Sequence, residues 1–271
     1  MVAVAKRHRG GVYCMPVHQR FPRRLGFVGT AEDRPVIAVT GLSFEARIGG
    51  VTVINDGPQT AAMLQAAILG GACGIVSFGV CGGLDPALLP GQWVIASSVV
   101  FGDETYPTDK RWSDRLIAAL PEAKHATVAG VDWAITDFQE RVRLYARTGA
   151  IVADMESHVA ARMAAAHNLP FAACRVMINP AHRTLPPAAL LKLRPGGKPD
   201  LRAILNSVLR RPGQVRHLIR LTLDASIAVF ALRRGKLLME PHLALPDQSP
   251  KTLILGSFAP PPLQTGTQHA R

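Results

Sequence analysis

The chain has few cysteines, and the four that it has form no recognisable pattern. Cys14, Cys73, Cys81 and Cys174 are scattered through 271 residues, without a Cys-x-x-Cys pair and without a histidine cluster. This distribution argues against a structural zinc site and against the disulfide framework of a small secreted protein. We therefore expect no bound metal, a reducing environment and a cytoplasmic location.

Long apolar runs and aromatic residues are also scarce. No run of 18 uncharged apolar residues occurs, so the sequence predicts no membrane-spanning helix, and the basic N-terminus does not have the pattern of a signal peptide. Aromatic residues make up 6% of the chain and do not interleave with basic residues in a nucleic-acid-binding motif. Nucleic acid is therefore not an expected partner.

Acidic residues are rare in the two segments that flank the central part of the chain, and this produces the net charge of +12. Residues 1–34 hold 7 basic and 2 acidic residues, and residues 192–236 hold 11 and 2. Residues 35–191 are close to neutral, with 11 basic and 13 acidic residues, and residues 237–271 are neutral. Such basic segments suit an anionic membrane surface or another polyanion, or they act only as a solubilising charge excess.

These shifts in composition divide the chain into four parts. We expect a loose basic N-terminal extension over 1–34, one catalytic domain over 35–191, basic amphipathic helices over 192–236 and a disordered tail over 237–271. With 48% hydrophobic residues and a mean hydropathy of +0.16, the chain can bury one large core.

The basic segment carries a helical pattern of apolar residues. Between 201 and 209 they recur at i, i+3, i+4, i+7 and i+8, which is the stripe of an amphipathic helix. The stretch 215–234 mixes apolar residues with four arginines. Two interpretations stay open: helices that pack on the core or on a partner subunit, and helices that lie on an anionic bilayer.

Short strand patterns alternate with helix patterns in the central segment. The apolar runs Val36–Thr40, Gly74–Phe78 and Phe171–Met177 predict buried strands, whereas Gln59–Leu69 and Glu156–His167 are rich in helix-forming residues. This alternation predicts an α/β fold with a central sheet that is covered by helices on both faces.

Several motifs follow one another along the central segment. They are Gly41–Glu45, Asn55–Pro58, the glycine-rich turn Ser77–Leu84, Pro90–Ile95, Met155-Glu156 and Arg175–Asn179. Their order resembles that of the nucleoside phosphorylase/nucleosidase superfamily. The resemblance implies a phosphorylase-like three-layer fold with a central mixed sheet flanked by helices, and an enzyme that cleaves the N-glycosidic bond of a nucleoside. It implies no metal or organic cofactor, leaves phosphate open as a co-substrate, and implies a homo-oligomer.

Glu156 and Asn179 are the two residues on which the chemistry depends. The resemblance implies that Glu156 holds the ribose, and a carboxylate in that place suits the positive charge that develops on the sugar as the C–N bond breaks. The superfamily places an Asp at the second position, where it protonates the departing purine. Asn179 cannot transfer a proton. Three interpretations stay open: a slower adenine nucleosidase, a changed base preference, and an inactive binder.

Further candidate residues surround this pair. Glu45 is a candidate to orient a nucleophilic water or contact the ribose, with a solvated loop acid as the alternative. The glycines of the turn allow backbone amides to approach a ligand. Arg47 and Arg175 are candidate phosphate ligands or structural ion-pair partners, so hydrolysis and phosphorolysis both stay open. The substrate-binding candidates are Met155 against the ribose face, Gly79, Cys81 and Gly82 in the glycine turn, and Trp133 as a stacking partner for the base, with core packing as the alternative for Met155 and Trp133.

A narrower resemblance rests on Ser77–Pro86, Thr148–Ala150 before Asp154–Ser157, Arg183–Ala189 and Arg210–Gln214. These segments resemble the hopanoid-associated phosphorylases, or adenosylhopane nucleosidases, and the resemblance covers roughly residues 35–236. It implies adenine release from adenosylhopane, a lipid-linked purine nucleoside, by a cytoplasmic protein at the inner membrane face. The alternatives are an enzyme of soluble nucleosides, such as methylthioadenosine or 6-oxopurine nucleosides, and a non-catalytic nucleoside-binding homologue.

Overall fold

A computed structural model describes residues 35–49, 52–54, 59–183, 201–240 and 242–245. These ranges contain eight strands: β1 Val36–Thr40, β2 Thr52–Ile54, β3 Gly74–Gly83, β4 Trp93–Phe101, β5 Glu104–Pro107, β6 Lys124–Gly130, β7 Val152–Asp154 and β8 Phe171–Asn179. They also contain seven α-helices: α1 Ser43–Gly49, α2 Gln59–Leu69, α3 Lys110–Ala119, α4 Phe138–Thr148, α5 Ser157–Ala166, α6 Leu201–Arg210 and α7 Val215–Leu238.

The eight strands form one mixed sheet. Its order is β2-β1-β3-β7-β6-β4-β5, and β8 pairs with both β3 and β4. The pairings of β3, β7, β6, β4 and β8 therefore close a ring. Strands β1, β3 and β8 run parallel to one another, whereas β7 runs antiparallel to β3. The predicted mixed sheet is confirmed.

Helices cover both faces of the sheet, because successive residues of a strand point to opposite sides. In β1, Val36 and Ala38 belong to one buried cluster, together with residues of α3 and α7, whereas Ile37 and Val39 belong to another, together with residues of α2 and α5. The predicted layering is confirmed, and the apolar runs that carried the prediction are the strands of this core.

The glycine-rich segment differs from its prediction. It is not a turn, because β3 continues through Gly79 and Cys81 as far as Gly83. The register with β8 shifts between Cys81 and Gly82, which marks an irregularity within the strand. Gly79 has φ 153°, a conformation that glycine adopts readily. The glycines therefore lie within a strand rather than after it.

The C-terminal boundary also needs a correction. Helix α7 continues to Leu238, Met239 is buried, and Leu243 packs in the cluster that contains Trp112. The indole Nε1 of Trp112 donates to the carbonyl of Leu243 at 2.8 Å. These apolar anchors hold residues 237–240 and 242–245 on the core, so the disorder predicted from residue 237 onward is wrong for them. Residues 1–34 and the rest of the tail lie outside the described residues.

The two basic helices expected between 192 and 236 correspond to α6 and α7. Within the described ranges, no helix combines the length and the apolar character needed to cross a bilayer.

Candidate functional site

The candidate site lies where several strand ends meet. The parallel strands β1, β3 and β8 bring their carboxyl ends to one edge of the sheet, and Gly82 of β3 pairs there with Asn179 of β8. The end of β7 joins them because Ala153 pairs with Gly82. Glu45, Glu156 and Asn179, which are distant in sequence, are all buried beside these ends.

Glu45 ties the first loop to the irregular part of β3. Its Oε2 accepts hydrogen bonds from the backbone N–H groups of Gly41, at 2.9 Å, and Leu42, at 2.7 Å. Its Oε1 accepts from the N–H of Val80 at 2.7 Å. Burial raises the pKa of Glu45, and the charge of Arg175 and these three N–H donors partly offset that rise. The solvated-loop alternative for Glu45 is excluded, because its side chain is buried.

Arg175 lies at the centre of the site and contacts several of its polar groups. Its guanidinium is fully buried, with Nε 3.1 Å from Asp154 Oδ2 and Nη2 3.2 Å from Glu156 Oε2. It also donates to the hydroxyl of Ser77 and to the carbonyl of Val80. Burial alone would lower the pKa of Arg175, but the surrounding carboxylates raise it above its usual value. Arg175 is thus an internal counter-ion.

Asp154 shapes the chain between β7 and α5. Its Oδ1 accepts from the N–H of Glu156 at 2.9 Å and from the N–H of Ser157 at 2.6 Å. The Ser157 hydroxyl lies 2.6 Å from Oδ2 and 2.9 Å from the hydroxyl of Ser77 on β3. The first N–H groups of α5 are therefore satisfied by a side chain, and this interaction fixes the backbone from which Glu156 projects.

Glu156 is held tightly against the first loop. A Cβ atom added to Gly41 would stand 2.3 Å from Glu156 Oε1, so a larger residue there would displace the carboxyl group. Burial raises the pKa of Glu156 to about 8; Arg175 opposes this shift, and the charges of Asp154 and Glu45 add to it. The carboxyl group is therefore poised to change its charge near neutral pH.

The cluster has an excess of acid. Three carboxyl groups, from Glu45, Asp154 and Glu156, surround the single guanidinium of Arg175. With all of them ionised, the formal charge is −2. This negative charge favours a transition state with cationic character and opposes the binding of an anionic ligand.

Asn179 closes the other side of the site. Asn179 is the last residue of β8 and is 8% exposed. Its side chain has no hydrogen-bond partner among the described residues. The loop that follows is held from outside the site: Arg141 of α4 donates to the carbonyl of Pro180 at 3.0 Å, and Arg183 forms an ion pair with Asp224 of α7. The loop after Asn179 is thus held by α4 and α7, while Asn179 itself pairs with Gly82 of β3.

The remaining candidates lie at different distances from this centre. Cys81 is buried, and burial, with the Asp154 charge as the next cause, raises the pKa of its thiol well above its usual range, which opposes a nucleophilic role. Met155 is partly exposed beside Glu156. Trp133 is 65% exposed, so the alternative of core packing is wrong for it. It follows β6 at the same edge of the sheet, where the N–H of Val131 donates to the carbonyl of Asp154 at 2.9 Å.

Sequence reasoning missed part of this network. It assigned no role to Asp154, Ser77 or Ser157, and it left Arg175 open as a phosphate ligand. One signal was available, because Arg175 is the only charged residue in the nine residues of β8. A charge in the middle of a buried strand needs partners, and such partners had to come from neighbouring strands.

Comparisons with known proteins agree with this architecture. Residues 11–210 match the family model of the phosphorylase superfamily. A comparison with the curated proteins found no match.

Solved structures share the fold at low sequence identity. The 5'-methylthioadenosine/S-adenosylhomocysteine nucleosidase from Neisseria meningitidis, in complex with methylthio-immucillin-A, is 11% identical with a TM-score of 0.53, over 78% of this chain and 100% of that chain. An Asp-to-Asn variant of the Helicobacter pylori nucleosidase, with 5'-methylthioadenosine in the active site, is 12% identical with a TM-score of 0.52, over 75% and 98%. The Campylobacter jejuni nucleosidase is 13% identical with a TM-score of 0.50, over 74% and 99%. Since the family model spans well over half of the sequence, the chain belongs to the phosphorylase superfamily of enzymes.

Proposed function

We propose that the chain hydrolyses the N-glycosidic bond of a purine nucleoside. The observation that carries this proposal is the buried cluster of Glu45, Glu156 and Arg175 at the meeting point of β1, β3 and β8. Its charge suits a reaction in which positive charge builds on a sugar, and superfamily membership supports the same reaction class.

Glu156 is proposed to bind the ribose hydroxyls and to stabilise the developing oxocarbenium ion. Its carboxyl group is fixed from two sides, by Arg175 at 3.2 Å and by the close approach of Gly41. Above a pH of about 8, where the carboxyl group is ionised, a preorganised charge of this kind costs no reorganisation when the bond breaks. Met155, beside it and partly exposed, is proposed to contact the ribose face.

Water, rather than phosphate, is the proposed nucleophile. A bound phosphate needs N–H or guanidinium donors, but the N–H groups of Gly41, Leu42 and Val80 already donate to Glu45, and Arg175 is engaged by its own carboxylates. Arg47 is exposed on α1. The raised pKa of Glu45 makes it a stronger base, which suits the activation of a water molecule.

Asn179 is proposed to hydrogen-bond the purine without donating a proton to it. Its side chain has no partner in the described part of the chain, so both the amide N–H₂ and the carbonyl oxygen are available to a base. Since a general acid is worth about 10²–10⁴-fold in rate, we expect slow release of adenine. Trp133, exposed at the same edge, is proposed to stack on the base when substrate is present.

The proposed substrate is adenosylhopane, in which the nucleoside carries a membrane lipid. The narrower resemblance of residues 35–236 supports this choice, and the basic segment at 192–236 suits an anionic bilayer. The second candidate is a nucleoside-binding protein without turnover, which the carboxamide at position 179 favours.

Base release, followed by chromatography, tests the proposal. The purified protein is given adenosylhopane in mixed micelles, methylthioadenosine and inosine in separate reactions, each with and without phosphate. Free adenine from the lipid substrate without phosphate is the expected result. Hypoxanthine from inosine alone would mean that Asn179 has redirected the base preference. Thermal stabilisation by a nucleoside without any release of base would identify the non-catalytic binder.

A further inference from the structure

Helix α7 turns one apolar face toward the core and another away from it. Its inner face is buried and includes Asp224, Ala228 and Leu232, with Gly235 packed against Trp93. At 100° per residue, a second row of apolar residues lies on the opposite side. The exposed fractions of the residues in this outward row are 40% for Val215, 57% for Ile219, 58% for Leu223, 69% for Phe230 and 76% for Leu237.

This arrangement is the reverse of an ordinary surface helix, whose outward face is polar. The neighbouring helix α6 adds two more exposed apolar residues one turn apart, Leu205 at 58% and Leu209 at 71%. The family match ends at residue 210, before α7 begins. The outward face of α7 therefore lies outside the matched region, and the family match does not explain its apolar composition.

Arginines line this outward face, and no carboxylate does. Arg216, Arg220 and Arg234 are exposed along one flank, and Arg233 lies on the face itself. The only acidic residue of α7, Asp224, is buried on the inner side and paired with Arg183. An apolar strip flanked by arginines fits an interface between hydrocarbon and anionic headgroups, where the long side chains reach the headgroups.

We propose that the outward face of α7 binds the surface of an anionic lipid bilayer. The purpose of this binding rests on the proposed function, because a lipid-linked substrate would bring the enzyme to a membrane. The binding surface itself follows from the exposed residues of α7. A second copy of the chain fits the face less well. Ser226 and Arg233 interrupt the apolar row, and two copies would bring together segments that each hold 11 basic and 2 acidic residues over 192–236.

The same helix connects this surface to the catalytic site. The inner face of α7 holds Arg183, and Arg183 belongs to the loop that follows Asn179. One helix has a diameter of about 10 Å with its side chains. The loop on the base side of the site therefore lies about one helix diameter from the proposed bilayer surface, which suits a nucleoside whose lipid remains in the membrane.

Vesicle cosedimentation of the full chain tests the proposal. The probes are vesicles of phosphatidylcholine alone and of phosphatidylcholine mixed with phosphatidylglycerol. The test variant combines Ile219→Asp and Phe230→Asp, two exposed positions that should tolerate charge. The matched control is Leu69→Asp on α2, where an apolar side chain is 78% exposed and away from α7.

We expect the wild type and the Leu69→Asp control to bind the anionic vesicles, and the double variant to bind them at least about tenfold more weakly. Replacing Arg216, Arg220 and Arg234 with Gln should weaken binding by about fivefold for each residue and should reduce its sensitivity to salt. Equal binding of the double variant and the wild type would overturn the proposal.

Sedimentation velocity without lipid tests the alternative that the outward face of α7 binds a second copy of the chain. A dimer that Ile219→Asp with Phe230→Asp dissociates, together with unchanged vesicle binding, would assign the face to a second copy and would also overturn the proposal. Base release from a soluble nucleoside is measured on the same variants and should not change. Loss of vesicle binding with intact base release would leave the proposed hydrolysis standing, so the two proposals fail separately.

Discussion

The two sides of the candidate site are built differently. On the proposed sugar side, Glu45, Glu156 and Arg175 are buried and each has polar partners within the site. On the proposed base side, Asn179 has no side-chain partner among the described residues, and its loop is held by Arg141 and by α7. The proposed sugar side is thus preorganised by its own charges, whereas the proposed base side is held through the backbone of β8 and through its loop. We therefore expect substitutions on the sugar side to reduce activity, and the base side to have room for improvement.

Removal of the Glu156 charge should have the largest effect. At a pH above about 8, where Glu156 is ionised, we expect Glu156→Gln to lower kcat for base release by about 10²–10³-fold, because an amide cannot stabilise an oxocarbenium ion as a carboxylate does. Steady-state kinetics on the preferred nucleoside measure this effect. The control is Glu104→Gln, an exposed acid paired with Arg162, which should leave kcat unchanged. An equal loss in both variants would contradict the assignment.

Introduction of an acid on the base side should have the next largest effect, in the opposite direction. We expect Asn179→Asp to raise the release of adenine by about 10²-fold, because a protonated carboxyl group can pass its proton to the departing purine. The comparison uses adenine and 6-oxopurine nucleosides with the same purified variant. A variant that folds normally and shows no rise in rate with any adenine nucleoside would reject the idea that position 179 limits the reaction.

Two glycines of β3 provide a matched pair for the packing of the sugar side. A Cβ atom at Gly79 would stand 2.5 Å from Glu45 Oε1 and 2.7 Å from Arg175 Nη1, whereas at Gly82 the nearest atom would be 3.8 Å away. We expect Gly79→Ala to destabilise the fold by about 1–3 kcal/mol and to reduce activity, while Gly82→Ala changes stability by less than about 1 kcal/mol. Chemical denaturation measures both. A similar cost for the two variants would contradict the described packing.

The pH dependence of stability should show a small effect per pH unit. In the folded state the pKa of Glu156 is raised from 4.5 to about 8, so between these values the folded chain holds a proton that the unfolded chain releases. The free energy of unfolding should therefore fall as pH rises from about 4.5 to about 8, by at most about 1.4 kcal/mol per pH unit from this group. Glu156→Gln should reduce the slope, and part should remain because the pKa of Glu45 is also raised. An unchanged slope would show that Glu156 is already ionised.

Much of the fold could be predicted from local sequence. Runs such as Val36–Thr40 and Phe171–Met177 are apolar enough to be buried strands, and the ordered motifs place Glu45, Glu156 and Asn179 after strands or at the start of a helix. The strands depend on residues that are close in sequence, whereas the three site residues were indicated by the resemblance to the superfamily.

The polar network of the site could not be predicted in the same way. Its central contacts join Arg175 of β8 to Asp154 at the end of β7 and to Ser77 of β3, and the order of the strands decides which of these residues meet. Helix α7 presents a related difficulty. It has apolar residues on two sides, and only the packing against Trp93 and Arg183 shows which side is buried.

Cleavage in ¹⁸O-labelled water with phosphate present tests the central claim most directly. Mass spectrometry of the sugar product shows which nucleophile attacked the anomeric carbon. The account predicts free base and a sugar that carries one ¹⁸O atom at C1. In the described part of the chain, the N–H groups of Gly41 and Val80 are already bound to Glu45, and Arg175 carries its own carboxylates. A sugar 1-phosphate without the label would contradict it.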